Sequence, residues 1–251
     1  MSRLLSYLVN EKETRLKGSL YHKTQVLLAY NSNRIEGSRL TEEQTRYIFE
    51  TRTIGFKDEE ALPVDDIIET SNHFVAFDYL LDTINEPLSN DIIKEMHKIL
   101  KTGTADAVRK NFNLGEWKKM PNEVGGISTT LPQNVEKEMV LLNDWYGSLS
   151  PVIFENIIEY HYRFETIHPF TDGNGRVGRL IMFRECLRNN MIPFILDDQH
   201  KQFYYRGLKE FAHTPGYLID TCRSEQDTYL DWIKYFYVGN TINKDKICSN
   251  E

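Results

Sequence analysis

Residues 168–179 read HPFTDGNGRVGR and concentrate the side chains that could do chemistry. Apolar residues at helical spacing precede and follow this stretch, so we expect a loop that opens a helix. Gly173 and Gly175 flank Asn174, and glycines let a ligand approach the main chain closely. Free N–H groups at the start of a helix, together with the helix dipole, favour an anion at this place.

The charged and titratable side chains of the same stretch suit a phosphate chain. Arg176 and Arg179 lie on neighbouring faces of the first helical turn, and both can reach a phosphate chain held there. Asp172 offers the hard oxygen that Mg²⁺ prefers when it bridges phosphates. His168 titrates near neutral pH and can take a proton from a hydroxyl. Together these residues indicate transfer of a group from a nucleotide.

Two other interpretations of the stretch are weaker. Its glycines also match Gly-x-Gly-x-x-Gly, the fingerprint of dinucleotide-binding folds, with Asp197 and Asp198 about twenty residues further on. That fingerprint requires a preceding strand, whereas the preceding pattern here is helical. A plain helix start with solvated arginines does not explain why a carboxylate and a histidine converge on the same glycine loop.

The stretch resembles the signature of the Fic family, His-x-Phe-x-Asp/Glu-Gly-Asn-Gly-Arg-x-x-Arg, and carries every fixed position. The family pattern covers roughly residues 40–237. The resemblance implies an all-α fold, a Fic-domain helical bundle with one β-hairpin flap, in which Phe170 anchors the loop. It also implies transfer of AMP from ATP to a tyrosine, serine or threonine hydroxyl of a protein. Relatives of the Doc toxin type carry lysine where this chain has Gly175 and transfer phosphate, so the glycine favours AMP.

The resemblance further implies how the signature holds ATP. Gly173, Asn174 and Gly175 would bind the α- and β-phosphates through main-chain and side-chain donors. Arg176 and Arg179 would neutralise the β- and γ-phosphates. We therefore expect ATP as substrate and Mg²⁺ as cofactor, with the histidine of the signature as catalytic base and its aspartate as metal ligand.

A second motif, Ser32-x-x-x-Glu36-Gly37, lies near the N-terminus. From these residues alone, a helix end with a solvated glutamate is the favoured account. One class of Fic proteins, however, carries an inhibitory helix with the pattern Ser/Thr-x-x-x-Glu-Gly/Asn. Its glutamate pairs with the second arginine of the signature, here Arg179, and competes with the γ-phosphate for the same donors. Ser32, one turn earlier, would support this pose.

Residues 122–132 have the pattern of a β-hairpin, because a turn-permissive Gly-Gly pair is followed by residues that favour extended structure. The hairpin resembles the Fic flap, which pairs by main chain with an extended target segment. An ordinary surface hairpin is the alternative. The residues that would help to enclose the nucleotide are Val124, Gly125, Gly126 and Ile127.

Two further places carry weaker resemblances. Tyr204 and Tyr205 stand where the family lines the adenine and ribose pocket, with aromatic core packing as the alternative. His213 stands where family members often have asparagine. Lys118 replaces the arginine of a Gly-x-Tyr/Phe-Arg pattern that many Fic proteins carry, which puts any role of that arginine in doubt.

The chain divides into three parts in this interpretation. Residues 1–40 are N-terminal helices that include the inhibitory motif at 32–37, residues 41–240 are the Fic domain, and residues 241–251 are a polar tail. The helical patterns cover residues 3–16, 20–35, a helix capped by Thr41, 64–84, a helix capped by Ser89, 133–146, a helix opened by Pro151, a helix from the signature, one from Asp197 or Asp198, and 225–237.

Composition limits the partners. The chain has 251 residues, a net charge of −7, 40% hydrophobic and 27% charged residues, which is typical of a globular domain and disfavours nucleic acid. We expect no membrane partner, because the apolar runs are too short to span a bilayer. Three scattered cysteines without metal-ligand spacing are typical of free thiols in the cytoplasm. A homo-oligomer is compatible with the sequence, which does not specify one.

We therefore expect a self-inhibited protein adenylyltransferase that modifies an unidentified target protein, or itself, docked on the hairpin at 122–132. Three alternatives remain. Glu36 could orient a water that removes AMP from a modified target. The transferred group could be UMP or another nucleotide. A non-enzymatic nucleotide-sensing adaptor would explain a glutamate that keeps the site permanently off.

Overall fold

The computed structural model describes residues 3–55 and 61–237, and within these the chain forms ten α-helices and one two-stranded hairpin. The helices are α1 Arg3–Thr14, α2 Leu20–Ile35, α3 Glu42–Thr51, α4 Val64–Asp82, α5 Asn90–Lys101, α6 Pro132–Gly147, α7 Phe154–Ile167, α8 Asn174–Arg188, α9 Lys201–Glu210 and α10 Gly216–Phe236. A short 3-10 helix, Asp198–His200, leads into α9, and the antiparallel strands β1 (Glu123–Val124) and β2 (Ile127–Ser128) lie between α5 and α6. The all-α expectation is confirmed, while the expected tail at 241–251 lies outside the described residues.

Side-chain caps fix where several helices begin. Ser19 accepts a hydrogen bond from the His22 N–H at the start of α2, and Ser89 does the same for the Ile92 N–H of α5. Thr41 opens α3 with both halves of a capping box. Such caps stabilise a helix by about 1 kcal/mol each, because they satisfy main-chain donors that the helix cannot pair itself.

The central helix is α8, which is buried on nearly every side. Its apolar residues pack into one core that also takes side chains from α1, α4, α7 and α10. The fully buried Arg184 guanidinium donates to the carbonyls of Thr83 (2.5 Å) and Glu86 (2.6 Å), which satisfies the C-terminal end of α4. The signature helix is thereby held rigidly in the middle of the bundle.

Helix α2 is fixed so that its C-terminal end faces the start of α8. Thr24 shares a 2.7 Å hydrogen bond with the Tyr229 hydroxyl of α10, and Gln25 donates to the Phe74 carbonyl of α4. The helix ends where predicted, and Gly37 follows with φ +98, a left-handed conformation that glycine adopts without strain. This placement brings Glu36 to the signature.

One expectation about a helix was wrong. The last helix begins at Gly216 and not at Glu225, because Leu218, Cys222 and Tyr229 continue one buried stripe at helical spacing. Across the described part of the chain, none of the helices is long and apolar enough to cross a membrane.

Candidate active site

The signature loop, residues 168–173, leaves α7 through His168. This residue has φ +50, and its N–H still bonds to the Phe164 carbonyl (2.9 Å), so it caps α7 while turning the chain out of the helix. Its imidazole is 16% exposed, and its Nδ1 lies 3.8 Å from Glu165 Oε2. The side chain is thus mostly buried at the start of the loop, with a small part of its surface open to solvent.

Asn174 closes the signature loop from inside. Its Oδ1 accepts from the Phe170 N–H (2.8 Å), and its Nδ2 donates to the Phe170 carbonyl (2.9 Å). Because both ends of this buried amide are used within the loop, Asn174 shapes the loop, and the main chain is left to bind a ligand. Gly173 has φ +84, which a residue with a side chain adopts only with strain.

His97 of α5 holds the loop from below. Its Nδ1 accepts from the Gly115 N–H (3.0 Å), so the other nitrogen, Nε2, carries the proton and donates to the Asp172 carbonyl (3.1 Å). The ring stacks on Phe170 with centroids 3.9 Å apart, and Phe170 is fully buried as the expected anchor. Burial lowers the pKa of His97 to about 3, so it is a neutral structural residue.

A buried charge cluster surrounds Asp172. Its Oδ2 accepts from Lys101 Nζ (2.6 Å) and from Arg176 Nη2 (3.1 Å), and both cations also pair with Glu69. Asp106 adds a third carboxylate, 3.3 Å from Lys101. Burial alone would raise the pKa of Asp172, but the two cations outweigh burial and lower it to about 2.

The cluster is compatible with a magnesium ion bound together with phosphates. Asp172 is ionised at neutral pH, and 46% of its side chain is exposed to an incoming ligand. Within residues 3–55 and 61–237, no group of three His, Cys, Asp or Glu side chains converges as a complete metal site. Mg²⁺ commonly binds one or two carboxylates and takes its remaining ligands from substrate phosphates and water, which suits a single aspartate.

Arg179, the second arginine of the signature, is occupied by α2 and the residue that follows it. Its Nη2 donates to Glu36 Oε1 (2.7 Å) and to the Ser32 carbonyl (2.9 Å), and its Nε donates to Ser32 Oγ (3.0 Å). A Cβ built on Gly175 would collide with that Glu36 oxygen. The Glu36 carboxylate therefore lies directly against Gly175 at the start of α8.

Two titratable groups beside the loop are held in their neutral forms. Burial, with a smaller contribution from Glu36, raises the pKa of Glu165 to about 8, and one of its oxygens has no hydrogen-bond partner. Burial, with a smaller contribution from Lys118, lowers the pKa of His168 to about 4. At neutral pH the imidazole can therefore accept a proton.

The expected hairpin is present, with Val124 paired to Ile127 across a turn of Gly125 (φ +55) and Gly126 (φ +79). Val124 and both glycines are exposed, so this strand pair presents its edge and turn to solvent. An exposed edge of this kind can accept a further strand by main-chain pairing.

Comparison with known proteins agrees with this geometry. The Fic/DOC family model matches residues 87–186. A protein adenylyltransferase Fic from Nematostella vectensis is 32% identical over 225 residues, covering 82% of this chain and 49% of that protein. One from Drosophila melanogaster is 32% identical over 218 residues, covering 80% and 41%. The chain belongs to the Fic/DOC family. It spans less than half the length of these curated relatives.

Solved Fic structures share the fold. A Fic-domain-containing signaling protein from Bacteroides thetaiotaomicron aligns with a TM-score of 0.68 at 23% identity, over 97% of this chain and 92% of that one. A Fic family protein from Desulfovibrio desulfuricans aligns with a TM-score of 0.70 at 18% identity, over 96% and 77%. At these identities the likeness shows the fold.

The two adjacent tyrosines, Tyr204 and Tyr205, lie in different environments. Tyr204 is buried, its hydroxyl shares a 2.8 Å hydrogen bond with His161 Nε2, and the Arg179 guanidinium lies over its ring at 6.0 Å. Tyr205 is 47% exposed, and its hydroxyl donates to the Ile35 carbonyl (3.1 Å) beside Glu36. Tyr204 thus packs in the core, while Tyr205 stays available to a ligand.

Sequence reasoning missed Lys101 and Glu69 at this site and noted Lys118 only as a replacement of the family's arginine. Lys101 follows His97 by four residues, and so places a cation on the inward face of α5, which is a detectable signal. Glu69 lies on α4, and no local pattern sets it apart from a surface charge. The structure buries both lysines to 2% exposure.

Proposed function

We propose that this chain is a self-inhibited protein adenylyltransferase that transfers AMP from ATP to a hydroxyl side chain of a target protein. The carrying observation is the contact between Glu36 and Arg179 at the N-terminus of α8, beside a His168 that is neutral at physiological pH. The proposed nucleotide site, the proposed base and the carboxylate that would compete with a phosphate for Arg179 all lie at the signature loop. The names of the curated relatives support the same chemistry.

In this proposal the start of α8 binds the triphosphate. Main-chain N–H groups of Gly173, Asn174 and Gly175 face the α- and β-phosphates, where the helix dipole favours negative charge. Arg176 and Arg179 neutralise the β- and γ-phosphates. Both guanidiniums are buried and already paired, so a phosphate would exchange for carboxylates and would not have to order free side chains.

Asp172 is the residue that would hold Mg²⁺. When bound, the ion would neutralise charge on the phosphates and favour departure of pyrophosphate. Lys101 and Arg176 keep the Asp172 carboxylate ionised and fixed in direction.

His168 acts as the base. The target hydroxyl oxygen attacks the α-phosphorus, the bond from the α-phosphorus to the bridging oxygen of the β-phosphate breaks, and pyrophosphate leaves. The hydroxyl proton passes to the free nitrogen of His168. A bound triphosphate also raises the pKa of the imidazole above its value of about 4, because negative charge favours the protonated ring. The base is thereby tuned toward neutral pH only when substrate is present.

Glu36 inhibits by occupying Arg179. A carboxylate and a phosphate compete for the same guanidinium donors, so ATP binds without its γ-phosphate in place and the α-phosphorus is misaligned for attack. A misplacement of about 1 Å can cost roughly 100-fold in rate. Ser32 strengthens the block, because it uses two further donors of the same guanidinium.

The hairpin supplies the docking edge for the target. An extended segment that pairs with the strands at Val124–Ile127 would present its hydroxyl above the loop, with Gly125 and Gly126 enclosing the nucleotide and Tyr205 beside its base. Cys186 and Cys222 are buried and form no disulfide, which supports a reducing compartment such as the cytoplasm.

The test uses the Glu36→Gly variant with Mg²⁺ and either α-³²P-ATP or γ-³²P-ATP, followed by gel autoradiography. We expect label from α-³²P-ATP only, on the chain itself or on a lysate band, and none from Glu36→Gly/His168→Ala. Label from γ-³²P-ATP only would overturn AMP transfer in favour of phosphate transfer. Absence of label from both would also overturn it, and α-³²P-UTP and an AMP-modified substrate would separate the remaining activities.

A further inference from the structure

Lys118 is a buried cation without an anionic partner. Its side chain is 2% exposed, and its ammonium donates to Asn122 Oδ1 (2.6 Å), Thr129 Oγ1 (2.6 Å) and the Ile167 carbonyl (3.3 Å). All three donors are used, and every acceptor is neutral. Burying an ammonium away from a carboxylate is unfavourable, and neutral acceptors offset only part of that cost. A methionine or leucine would fill the same space without this cost, so the charge itself requires an explanation.

The acceptors of Lys118 belong to two different parts of the site. Asn122 and Thr129 form the base of the hairpin, where the Thr129 hydroxyl also donates to the Asn122 carbonyl (3.0 Å). Ile167 is the last residue of α7, directly before His168. One ammonium therefore joins the hairpin to the peptide group that leads into His168.

Two further hydrogen bonds join the segment from Lys118 to Asn122 to the signature loop. The Lys118 N–H donates to the Pro169 carbonyl (2.8 Å), and Asn122 Nδ2 donates to the Phe170 carbonyl (3.1 Å). The hairpin base is thus fastened to consecutive residues of the signature loop. Because the hairpin itself has only two residues in each strand, these bonds and not the strand pairing fix its position.

The charge of Lys118 also acts on the base. Burial is the largest influence that lowers the pKa of His168, and Lys118 is the next. The groups that act in the opposite direction are the Glu165 carbonyl of α7, Glu36 after α2, and Asp172 of the loop. The cation thus offsets nearby carboxylates that would otherwise favour a protonated imidazole.

We propose that Lys118 is a positioning residue for the transfer reaction, fastening the hairpin to the signature loop through Asn122, Thr129 and Ile167 while placing a positive charge beside His168. This role rests on the function proposed above. It gives one side chain two effects, a fixed distance between docked target and base, and a base that stays free to accept a proton.

The experiment compares Lys118→Met, Lys118→Arg and, as a matched control, Lys119→Met, which removes the same charge from the exposed neighbouring residue. All are made in the Glu36→Gly background. The first readout is the NMR titration of the His168 imidazole, which needs no transfer activity. In Lys118→Met we expect the titration, and the acid limb of α-³²P-AMP incorporation, to move up by about one pH unit. Lys118→Arg and Lys119→Met should leave both within about 0.3 pH unit of the parent, a change too small to indicate a lost neighbouring charge.

The second readout is amide hydrogen exchange of residues 123–128. We expect roughly tenfold or faster exchange in Lys118→Met and in Thr129→Val, which keeps the charge but removes the bonds of the Thr129 hydroxyl to Lys118 and to Asn122. Thr129→Val should leave the His168 titration unchanged. This variant keeps the proposal testable where Lys118→Met does not fold.

The outcomes separate this proposal from the function it rests on. An unchanged His168 titration in folded Lys118→Met, or unchanged hairpin exchange in Thr129→Val, would overturn the role of Lys118. Absence of ³²P-AMP incorporation in the Glu36→Gly parent would instead overturn AMP transfer, and the NMR and exchange results would still decide what Lys118 does.

Discussion

Glu36 Oε1 lies 2.7 Å from Arg179 Nη2, across 143 positions of the sequence. The same oxygen fills the space above Gly175, so the carboxylate occupies both the guanidinium and the open face of the glycine loop. In the proposed function a phosphate would use these same two features, so the carboxylate and the phosphate would compete for them directly.

Glu36→Gln should be less stable than the wild type without ATP and should gain more stability from ATP than the wild type does. The isosteric change removes the charge partner of buried Arg179, and we expect a loss of about 1 kcal/mol without ligand, small because the glutamate side chain is 32% exposed. With millimolar Mg²⁺-ATP the variant should gain more in Tm than the wild type, because a neutral amide competes with phosphate for the guanidinium less well than a carboxylate does. Differential scanning fluorimetry with and without Mg²⁺-ATP measures both.

Glu13→Gln is the control for this change, since Glu13 is an exposed residue of α1. It should alter neither the Tm nor the response to ATP. An ATP-induced shift in Glu36→Gln no larger than in the wild type would contradict competition at Arg179.

Gly175→Ala should cost stability only while Glu36 is present. An added Cβ meets the Glu36 carboxylate and the end of the Arg179 side chain, and no backbone atom lies among its nearest neighbours. In the wild type the carboxylate must move off its guanidinium, whereas in Glu36→Gly the main obstacle is gone and alanine gains about 1 kcal/mol from helix propensity. Urea denaturation of the four proteins of this double-mutant cycle should give a coupling of about 1 kcal/mol or more. Additive effects would place Glu36 away from Gly175 in solution.

How much of this site the sequence predicts depends on how local each signal is. The end of α2 follows from Gly37 and from the capping box at Thr41, both of which act within a few residues. The signature loop is recognised because its residues are contiguous. The pairing of Glu36 with Arg179 was expected from the family resemblance, since no spacing along the chain brings those residues together.

The contacts that the sequence did not predict all join distant segments. Lys101 reaches Asp172 across 71 positions, and Lys118 reaches the Ile167 carbonyl across 49. The neighbouring residues in the sequence do not show whether a lysine is buried or solvated, because its burial depends on which helix packs over it.

Glu165→Gln should remove a pH dependence of stability. The pKa of this carboxyl is raised from an ordinary 4.5 to about 8, so the folded protein keeps a proton that the unfolded chain releases. Folding stability therefore falls as the pH rises through the window from 4.5 to 8, and the whole cost is present above pH 8. The free energy of unfolding of the variant minus that of the wild type should be larger at pH 8.5 than at pH 4.5, by at least about 1 kcal/mol.

Urea denaturation at the two pH values measures this difference, with Glu159→Gln on the same helix as control, because Glu159 is paired with Arg163 at the surface. The control should show the same offset at both pH values. An offset for Glu165→Gln that does not change with pH would mean that the folded protein holds this carboxyl ionised.

His168→Ala should abolish transfer while leaving ATP binding largely intact. The imidazole is mostly buried, its Nδ1 has no hydrogen-bond partner, and the loop is held instead by Asn174 and His97, so its removal leaves the phosphate site in place. In the Glu36→Gly background we expect a fall of at least about 100-fold in ³²P-AMP incorporation, the contribution typical of a general base. The dissociation constant for Mg²⁺-ATP by calorimetry should change by no more than about threefold, which corresponds to a small fraction of the binding free energy.

His213→Ala removes an exposed histidine instead and should change neither quantity. Transfer retained in His168→Ala would assign the proton to another acceptor, and ATP binding lost together with transfer would show that the ring supports the loop and is not only a base.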